Sequence, residues 1–266
     1  MGKKEVLEEK SLTRRSLLSG AGKIAVVGAG IAAVSGGLNL FSKAEAKGGS
    51  TEKWPWPYEK LDPEKTAELA YNEWYRVFCG AAVISSIFSQ LSEKVGDPYK
   101  SFPIDAFVYM EGGMTGWGTI CGSEAGAAVV TNVIIGPRIA GSKDGAMMGS
   151  EIMQWYSETP LPVYVPKEPK ITTEIIKTTS DSPLCHVSVG RWMKAANKPF
   201  GSAERKDRCA RLTASVAYHT VKLLNDWKDG KYHTKGTIPA GSYGIPAQNN
   251  CTSCHGSNIP TPPKSK

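Results

Sequence analysis

The strongest constraint on the fold is the stretch 64–96, in which apolar side chains recur at the spacing of one helix face. Asp62 can cap the start of this stretch, Pro63 suits the first helical position, and Gly96 ends it. The pattern predicts one long helix with Cys79 in its middle. Its apolar positions are Leu69, Trp74, Val77, Phe78, Ala81, Ile84 and Phe88.

A second stretch, residues 201–230, has the clearest helical pattern in the chain. Ser202 is a candidate N-cap for this helix, and Gly230 is a natural stop. Cys209 falls inside it. One stripe along the predicted helix consists of Leu212, Val216, His219 and Leu223.

Three shorter helices are predicted between these two. One begins at about Cys121 in a glycine-rich segment, and another covers residues 144–158. The third begins at Pro183, where Ser182 or Asp181 can cap it. Its first turn contains Cys185 and His186. Residues 159–169 must be extended, because their prolines exclude a continuous helix.

Near the C-terminus, Cys251, Cys254 and His255 form the CxxCH motif of a c-type haem. Two thioether bonds would attach the haem, and His255 would be the proximal iron ligand. The rival interpretations are a dithiol redox pair and half of a zinc site. A thioredoxin-like dithiol needs a βαβ setting, which this sequence lacks.

Haem iron in an electron carrier usually takes a sixth ligand from the protein. His233 is a candidate because it shares the irregular C-terminal segment with the haem motif. His219 is a second candidate, although an apolar stripe equally suits a core histidine with a satisfied hydrogen bond.

The N-terminus resembles a twin-arginine (Tat) export signal. Arg14-Arg15 precedes an apolar run at 24–41, and Ala44 and Ala46, two small residues separated by one position, suit a cleavage site. The alternative is a retained membrane anchor, but the glycines make the run weakly hydrophobic for a spanning helix. We therefore expect a periplasmic mature protein without a stable membrane span.

The expected organisation is a Tat signal at 1–46, a linker at 47–60, a helical four-cysteine domain at 61–230 and an irregular haem-binding segment at 231–266. The fold class is mainly α: a single helical domain with long irregular loops and a haem-bearing C-terminal segment. The formal net charge is +7, but the charges are interspersed without a basic block. Nucleic acid is therefore not an expected partner, whereas redox partner proteins are.

Four further cysteines are spread one to each predicted segment: Cys79, Cys121, Cys185 and Cys209. Two disulfides are the simplest interpretation in an oxidising compartment. The alternatives are a zinc site and an iron–sulfur cluster held by four thiolates. Cys121 and Cys185 fall at predicted helix N-termini, where the helix dipole stabilises a thiolate.

The sequence "GGMTGWGTICGSEAGA", followed by "PLCHVSVGRW" and "RCARLTASVAYHTVKLLN", resembles the C_GCAxxG_C_C family of redox-active proteins. The export signal and the haem motif narrow the resemblance to its split-Soret cytochrome c relatives. The resemblance covers about residues 65–260. The family motif is loosely kept, since four residues separate Cys121 from Gly126.

The resemblance implies a homodimer, stacked haems with two histidine ligands, and an iron–sulfur cluster, [2Fe–2S] or [4Fe–4S], on the four scattered cysteines. One departure concerns the haem count, because this chain has a single CxxCH motif where such relatives carry two haems.

The leading hypothesis is therefore a periplasmic electron-transfer protein that passes electrons between the cluster and the haem. The alternative is an oxidoreductase that acts on a small-molecule substrate at the haem or the cluster. A haem-bearing sensor or a structural subunit of a larger complex is a third hypothesis.

Overall fold

The architecture is helical, as the sequence predicts. A computed structural model describes residues 54–136, 144–235 and Ser257. These residues belong to one compact unit and contain no β-strand beyond two isolated bridges. The helices are α1 (Pro63–Val95), a 3-10 helix (Ile104–Met110), α2 (Gly122–Ile135), α3 (Asp144–Glu158), α4 (Cys185–Ala196) and α5 (Ala203–Lys228).

Several predictions concern residues outside this description. The signal segment 1–46 and the haem motif, Cys251, Cys254 and His255, lie there, as does most of the segment 231–266. Among the described helices, none combines the length and the apolar character needed to cross a lipid bilayer.

Helix α1 folds back on itself at Phe78, whose backbone is non-helical with φ 59° and ψ −169°. Ser85 Oγ donates a hydrogen bond of 2.7 Å to Glu73 Oε2, and Gln90 Nε2 donates one of 2.8 Å to Thr66 Oγ1. In a straight helix, residues 24 apart would be separated by about 36 Å. Residues 63–77 and 79–95 are therefore two antiparallel arms of a helical hairpin.

The prediction of one continuous helix over 64–96 is thus wrong, although both of its ends are confirmed. Asp62 accepts hydrogen bonds from the N–H groups of Glu64 and Lys65, and the last helical residue precedes Gly96. The reversal also explains why Phe78, predicted to lie on the buried face, is 36% exposed. Cys79 becomes the first residue of the second arm.

The backbone of Phe78 lies in a region that only glycine adopts without strain. We expect Phe78→Gly to be more stable than Phe78→Ala by about 1 kcal/mol, since both variants remove the ring and only glycine relieves the strain. Chemical denaturation of both variants measures this difference. Asn72, an exposed position within the first arm, is the control. There Asn72→Ala should be more stable than Asn72→Gly, because alanine is the better helix former. The same order at both positions would contradict the hairpin.

The hairpin packs mainly against α5 and α2, and α2 packs against α3. A buried polar network joins α1 to α5: Tyr75 Oη donates to Asp207 Oδ1 at 2.9 Å, and Arg211 Nε donates to Asp207 Oδ2 at 2.6 Å. The largest buried apolar side chains of the two elements include Ile84, Ile87, Phe88, Leu91, Val216, Val221 and Leu224. The core therefore lies between the hairpin and the two longest single helices that flank it.

The remaining helix predictions are largely confirmed. α3 covers residues 144–158, and Ser202 Oγ caps α5 by accepting from Arg205 N–H at 3.2 Å. α4 begins at Cys185 rather than Pro183, so neither Ser182 nor Asp181 is its cap. The physical reason is that Leu184 is held extended by an antiparallel bridge to the segment before α2.

Candidate functional site

The four cysteines that the sequence scatters over four segments lie near enough to one another for their thiols to interact electrostatically, although they do not form a compact set of metal ligands. The pKa of Cys79 is raised to about 12, mainly because the thiol is buried and to a smaller extent because the thiols of Cys121 and Cys209 lie nearby. Burial and the other three thiols likewise raise the pKa of Cys185. All four are free thiols in the structure, which does not support the interpretation of two disulfides. Within the described ranges, no three His, Cys, Asp or Glu side chains are grouped so that they could hold a metal ion.

Three of the four thiols lie at helix N-termini. Cys79 begins the second arm of the hairpin, Cys121 is the N-cap residue of α2, and Cys185 is the first residue of α4. The predicted positions of Cys121 and Cys185 are confirmed, whereas that of Cys79 was not foreseen. Because free N–H groups and the helix dipole favour negative charge, these three positions stabilise thiolates. Cys209 differs, since it lies buried within α5.

Backbone pairing fixes two of the cysteines side by side. The N–H of Cys121 donates to the carbonyl of Pro183 at 2.9 Å, and the N–H of Cys185 donates to the carbonyl of Thr119 at 2.7 Å. These reciprocal bonds join the segment before α2 to the segment before α4. Both helices consequently begin at the same place in the fold.

Glycines allow the cysteine-bearing backbones to approach closely. A methyl group at Gly122 would lie 2.1 Å from the carbonyl oxygen of Met110 and 2.9 Å from Cys79 Cβ. A methyl group at Gly113 would lie 2.7 Å from Cys185 Cβ. No side chain fits at these distances, so the glycine-rich segment is required by the packing of the site.

Backbone amides also reach the sulfur atoms. The N–H of Gly112 faces the Cys79 thiol and lowers its pKa, against the larger effect of burial. Burial raises the pKa of the Cys121 thiol. The N–H of Ser123 faces this thiol and lowers its pKa by a smaller amount. Such amide contacts are the outer-shell interactions that tune a metal-bound sulfur.

Three buried hydrogen-bond donors around the thiols have no partner among the described residues: Trp74 Nε1, Tyr156 Oη and Arg208 Nε. Trp74 lies beside Cys79, and Tyr156 lies beside Cys121. Unsatisfied buried donors are costly and therefore uncommon. Trp74 Nε1 and Arg208 Nε can be satisfied only by an acceptor, and Tyr156 Oη can donate to one. Burial raises the pKa of the Cys79 and Cys121 thiols, and Trp74 and Tyr156, which face them, lower it, so a sulfur-rich anionic group would be a suitable acceptor.

Arg208 places a permanent positive charge next to the thiols. Its side chain is 1% exposed, Nη2 donates to Ser188 Oγ at 2.8 Å, and Nη1 lies 3.9 Å from Cys209 Sγ. It forms no ion pair with a carboxylate in the described part of the chain. A buried cation is strongly destabilising unless an anion compensates it. The charge of Arg208 lowers the pKa of the Cys121 and Cys185 thiols, against the larger effect of burial, which raises it.

The one carboxyl group beside the thiols is not that anion. Glu124 is fully buried on α2, and both of its carboxyl oxygens lack a hydrogen-bond partner among the described residues. Burial, and then the charge of Cys121, raises the pKa of Glu124 well above its usual value. Burial therefore disfavours the ionised form of this carboxyl group.

Sequence reasoning missed the side chains that surround the cysteines: Trp74, Glu124, Tyr156 and Arg208. Arg208 offered one signal, since it directly precedes Cys209 in the sequence. The others had none, because only the packing of α1, α2, α3 and α5 places them at the site.

The two candidate distal haem ligands differ in their surroundings. His219 stacks on Trp155 with ring centroids 4.1 Å apart, and its Nε2 is buried without a partner in the described structure. Burial, and then the charge of Lys222, lowers the pKa of His219 to about 4. His233 is exposed.

The first residues of the predicted haem-binding segment contact α3. Tyr232 Oη donates to Glu151 Oε2 at 2.9 Å, and the N–H of Lys235 donates to the same oxygen at 3.0 Å. Glu151 lies one helical turn from Trp155 on α3, and residues four apart share a helix face. The last described residues before the haem motif therefore lie on the face of α3 that carries the Trp155–His219 pair.

Comparison with known proteins agrees with the cysteine pattern. Residues 78–223 match the family model described as "Putative redox-active protein (C_GCAxxG_C_C)". The chain is 32% identical to split-Soret cytochrome c of Desulfovibrio desulfuricans over 253 residues, which cover 92% of this chain and 88% of the relative. The solved structure of that cytochrome, reported to contain a novel iron centre, is similar with a TM-score of 0.64 and 31% identity. The similarity covers 79% of this chain and 86% of that one.

Proposed function

Because the chain belongs to the C_GCAxxG_C_C family, which supports a redox role, we propose that it transfers electrons between an iron–sulfur cluster and a covalently bound haem. The proposed cluster ligands are Cys79, Cys121, Cys185 and Cys209. The haem is bound through Cys251 and Cys254, with His255 as its proximal ligand. When bound, the two groups would supply one-electron oxidation and reduction without a substrate.

The observation that carries the cluster proposal is the buried charge of Arg208. Two disulfides would leave this guanidinium beside neutral sulfur atoms, with no carboxylate partner in the described residues. Thiolates bound to metal would compensate it, and three helix N-termini favour the same negative charge. The buried guanidinium and the three helix N-termini therefore support the proposal of an anionic four-sulfur site.

Iron is favoured over zinc by the relative, because the split-Soret cytochrome c to which this chain is similar is reported to contain a novel iron centre. The unpartnered donors of Trp74, Tyr156 and Arg208 also suit a group with acceptors beyond the four cysteines. Inorganic sulfide would be such an acceptor. We propose a [2Fe–2S] or a [4Fe–4S] cluster, and analysis of acid-labile sulfide separates both from zinc.

We propose His219 rather than His233 as the distal haem ligand. Its unpartnered Nε2 is the atom that iron binding would satisfy, and its low pKa keeps the imidazole neutral, as a metal ligand must be. His219 also stacks on a residue of α3, the helix that the first residues of the predicted haem-binding segment contact. In this arrangement Trp155 orients the imidazole ring by stacking on it.

The experiment that tests this function is metal analysis of protein matured in its own periplasm. We expect more iron than haem, acid-labile sulfide, and little carbon monoxide binding to the reduced haem. His219→Ala should open the haem to carbon monoxide, whereas His233→Ala should not. Iron equal to haem with no sulfide would contradict the two-centre proposal. Strong carbon monoxide binding by the unaltered protein would instead favour the alternative, an oxidoreductase acting on a small molecule.

Export and assembly are further parts of the proposal. Arg14-Arg15 and the family resemblance support Tat export to the periplasm as a folded protein, and the resemblance supports a homodimer. Replacement of Arg14-Arg15 by Lys-Lys should retain the precursor in the cytoplasm without haem. Sedimentation of the mature holoprotein gives its mass, and a monomer would contradict the proposed dimer.

A further inference from the structure

The positive charge of Arg208 bears on the reduction potential of the proposed cluster as well as on whether a cluster binds. Electron transfer to a four-cysteine cluster adds one negative charge to a group that is already anionic. A fixed positive charge beside it stabilises the reduced form more than the oxidised form. Guanidinium stays protonated throughout the accessible pH range, so this effect does not depend on pH.

We infer that Arg208 is the residue that sets the reduction potential of the cysteine cluster, raising it through a buried, unpaired guanidinium held between Ser188 and Cys209. The inference rests on the proposed function. The group that gains the electron is the cluster, and the donor is a redox partner protein or the reduced haem. No bond forms or breaks at Arg208 itself.

The geometry explains why Arg208, among the nearby arginines, has this role. Arg211 lies almost one turn further along α5, but its charge is compensated by Asp207 at 2.6 Å. Arg76, close in sequence to Cys79, is largely exposed and pairs with Glu73 at 2.6 Å. Exposed charges are screened by salt and water, whereas a buried charge is screened much less. Arg208 is buried, and no described carboxylate cancels its charge.

Ser188 has a positioning role in this arrangement. It lies one turn after Cys185 on α4 and is 2% exposed, and its Oγ accepts from Arg208 Nη2 at 2.8 Å. The other end of the guanidinium faces Cys209 on α5. The planar fork thus connects the two helices at the site and holds the charge at one distance from the sulfur atoms.

The test is the reduction potential of the cluster in the holoprotein, measured by spectroelectrochemistry, together with iron and labile sulfide for each variant. Arg208→Gln should lower the equilibrium constant for one-electron reduction at least tenfold, which is about 59 mV. Arg208→Lys should keep most of the wild-type value, since the charge remains. Ser188→Ala should lower the constant less than Arg208→Gln does. Arg76→Gln is the control and should change it only slightly, and less at high salt.

The outcomes separate the two proposals. A fully loaded Arg208→Gln variant with the wild-type potential overturns the role of Arg208 and leaves the proposed function standing. Wild-type protein without cluster iron and sulfide overturns both. If Arg208→Gln fails to load, Ser188→Ala decides: a lowered potential at full iron content supports the inference, and an unchanged one overturns it.

Discussion

Replacement of Cys209 by serine is expected to remove most of the non-haem iron and labile sulfide, at least a tenfold loss, while the covalent haem remains. Cys209 is a proposed cluster ligand, and it lies buried in the second turn of α5. A serine hydroxyl is a poor ligand for iron in a sulfur-rich site. Its loss would also leave the Arg208 guanidinium without the sulfur that faces it at 3.9 Å. Iron and sulfide analysis, with haem quantified separately, measures the effect.

The matched control is Ala210→Ser, which introduces the same hydroxyl group at the next position of the same helix. Ala210 is fully buried, so this variant has the cost of a buried hydroxyl without the loss of a thiol. It should keep its cluster iron even if its stability falls. Equal iron loss in both variants would show that the effect comes from disturbed packing and not from a missing ligand.

Replacement of Gly122 by alanine is expected to destabilise the fold by about 2–3 kcal/mol and to impair cluster assembly. The added methyl group would lie 2.1 Å from a backbone oxygen of Met110, which cannot move away as a flexible side chain can. Overpacking of this kind typically costs about 1–3 kcal/mol. Because the same methyl group would lie 2.9 Å from Cys79 Cβ, the hairpin tip must shift relative to α2. Chemical denaturation and iron analysis measure the two effects.

Gly190→Ala is the control for this prediction. Gly190 also lies in a helix, but a methyl group there meets nothing within 4 Å. Alanine is the better helix former, so Gly190→Ala should stabilise the protein by about 0.5–1 kcal/mol and leave the iron content unchanged. If Gly122→Ala behaved in the same way, the close approach of α2 to the hairpin tip would be wrong.

The hairpin at Phe78 shows where sequence reasoning reaches its limit. The apolar spacing on both sides of Phe78 is helical, and it correctly predicts helical backbone over nearly all of 63–95. Periodicity cannot reveal a reversal that occupies a single residue, because each arm keeps its own apolar face. The residue at the reversal is not a glycine or a proline, so the usual signal for a break is absent. Packing against α5 and α2 selects the folded-back form.

The cysteine site also combines features that the sequence predicts with features that only the fold determines. The cysteines and their helix N-termini at Cys121 and Cys185 were predictable, since capping and turn signals are local in sequence. The role of Arg208 was not, because a charged residue in a helix is usually solvated. Only the folded arrangement buries Arg208 and places its guanidinium between Ser188 and Cys209.

The sequence by itself determined the helical class, most helix boundaries and the set of candidate site cysteines, because side-chain periodicity and caps act over one or two helical turns. The tertiary structure alone decided that α1 is a hairpin with Cys79 at its tip, and that glycines bring its backbone against α2. It also decided that a buried guanidinium faces the thiols. These features depend on which helix surfaces pack against one another, and such packing joins residues that are far apart in the chain.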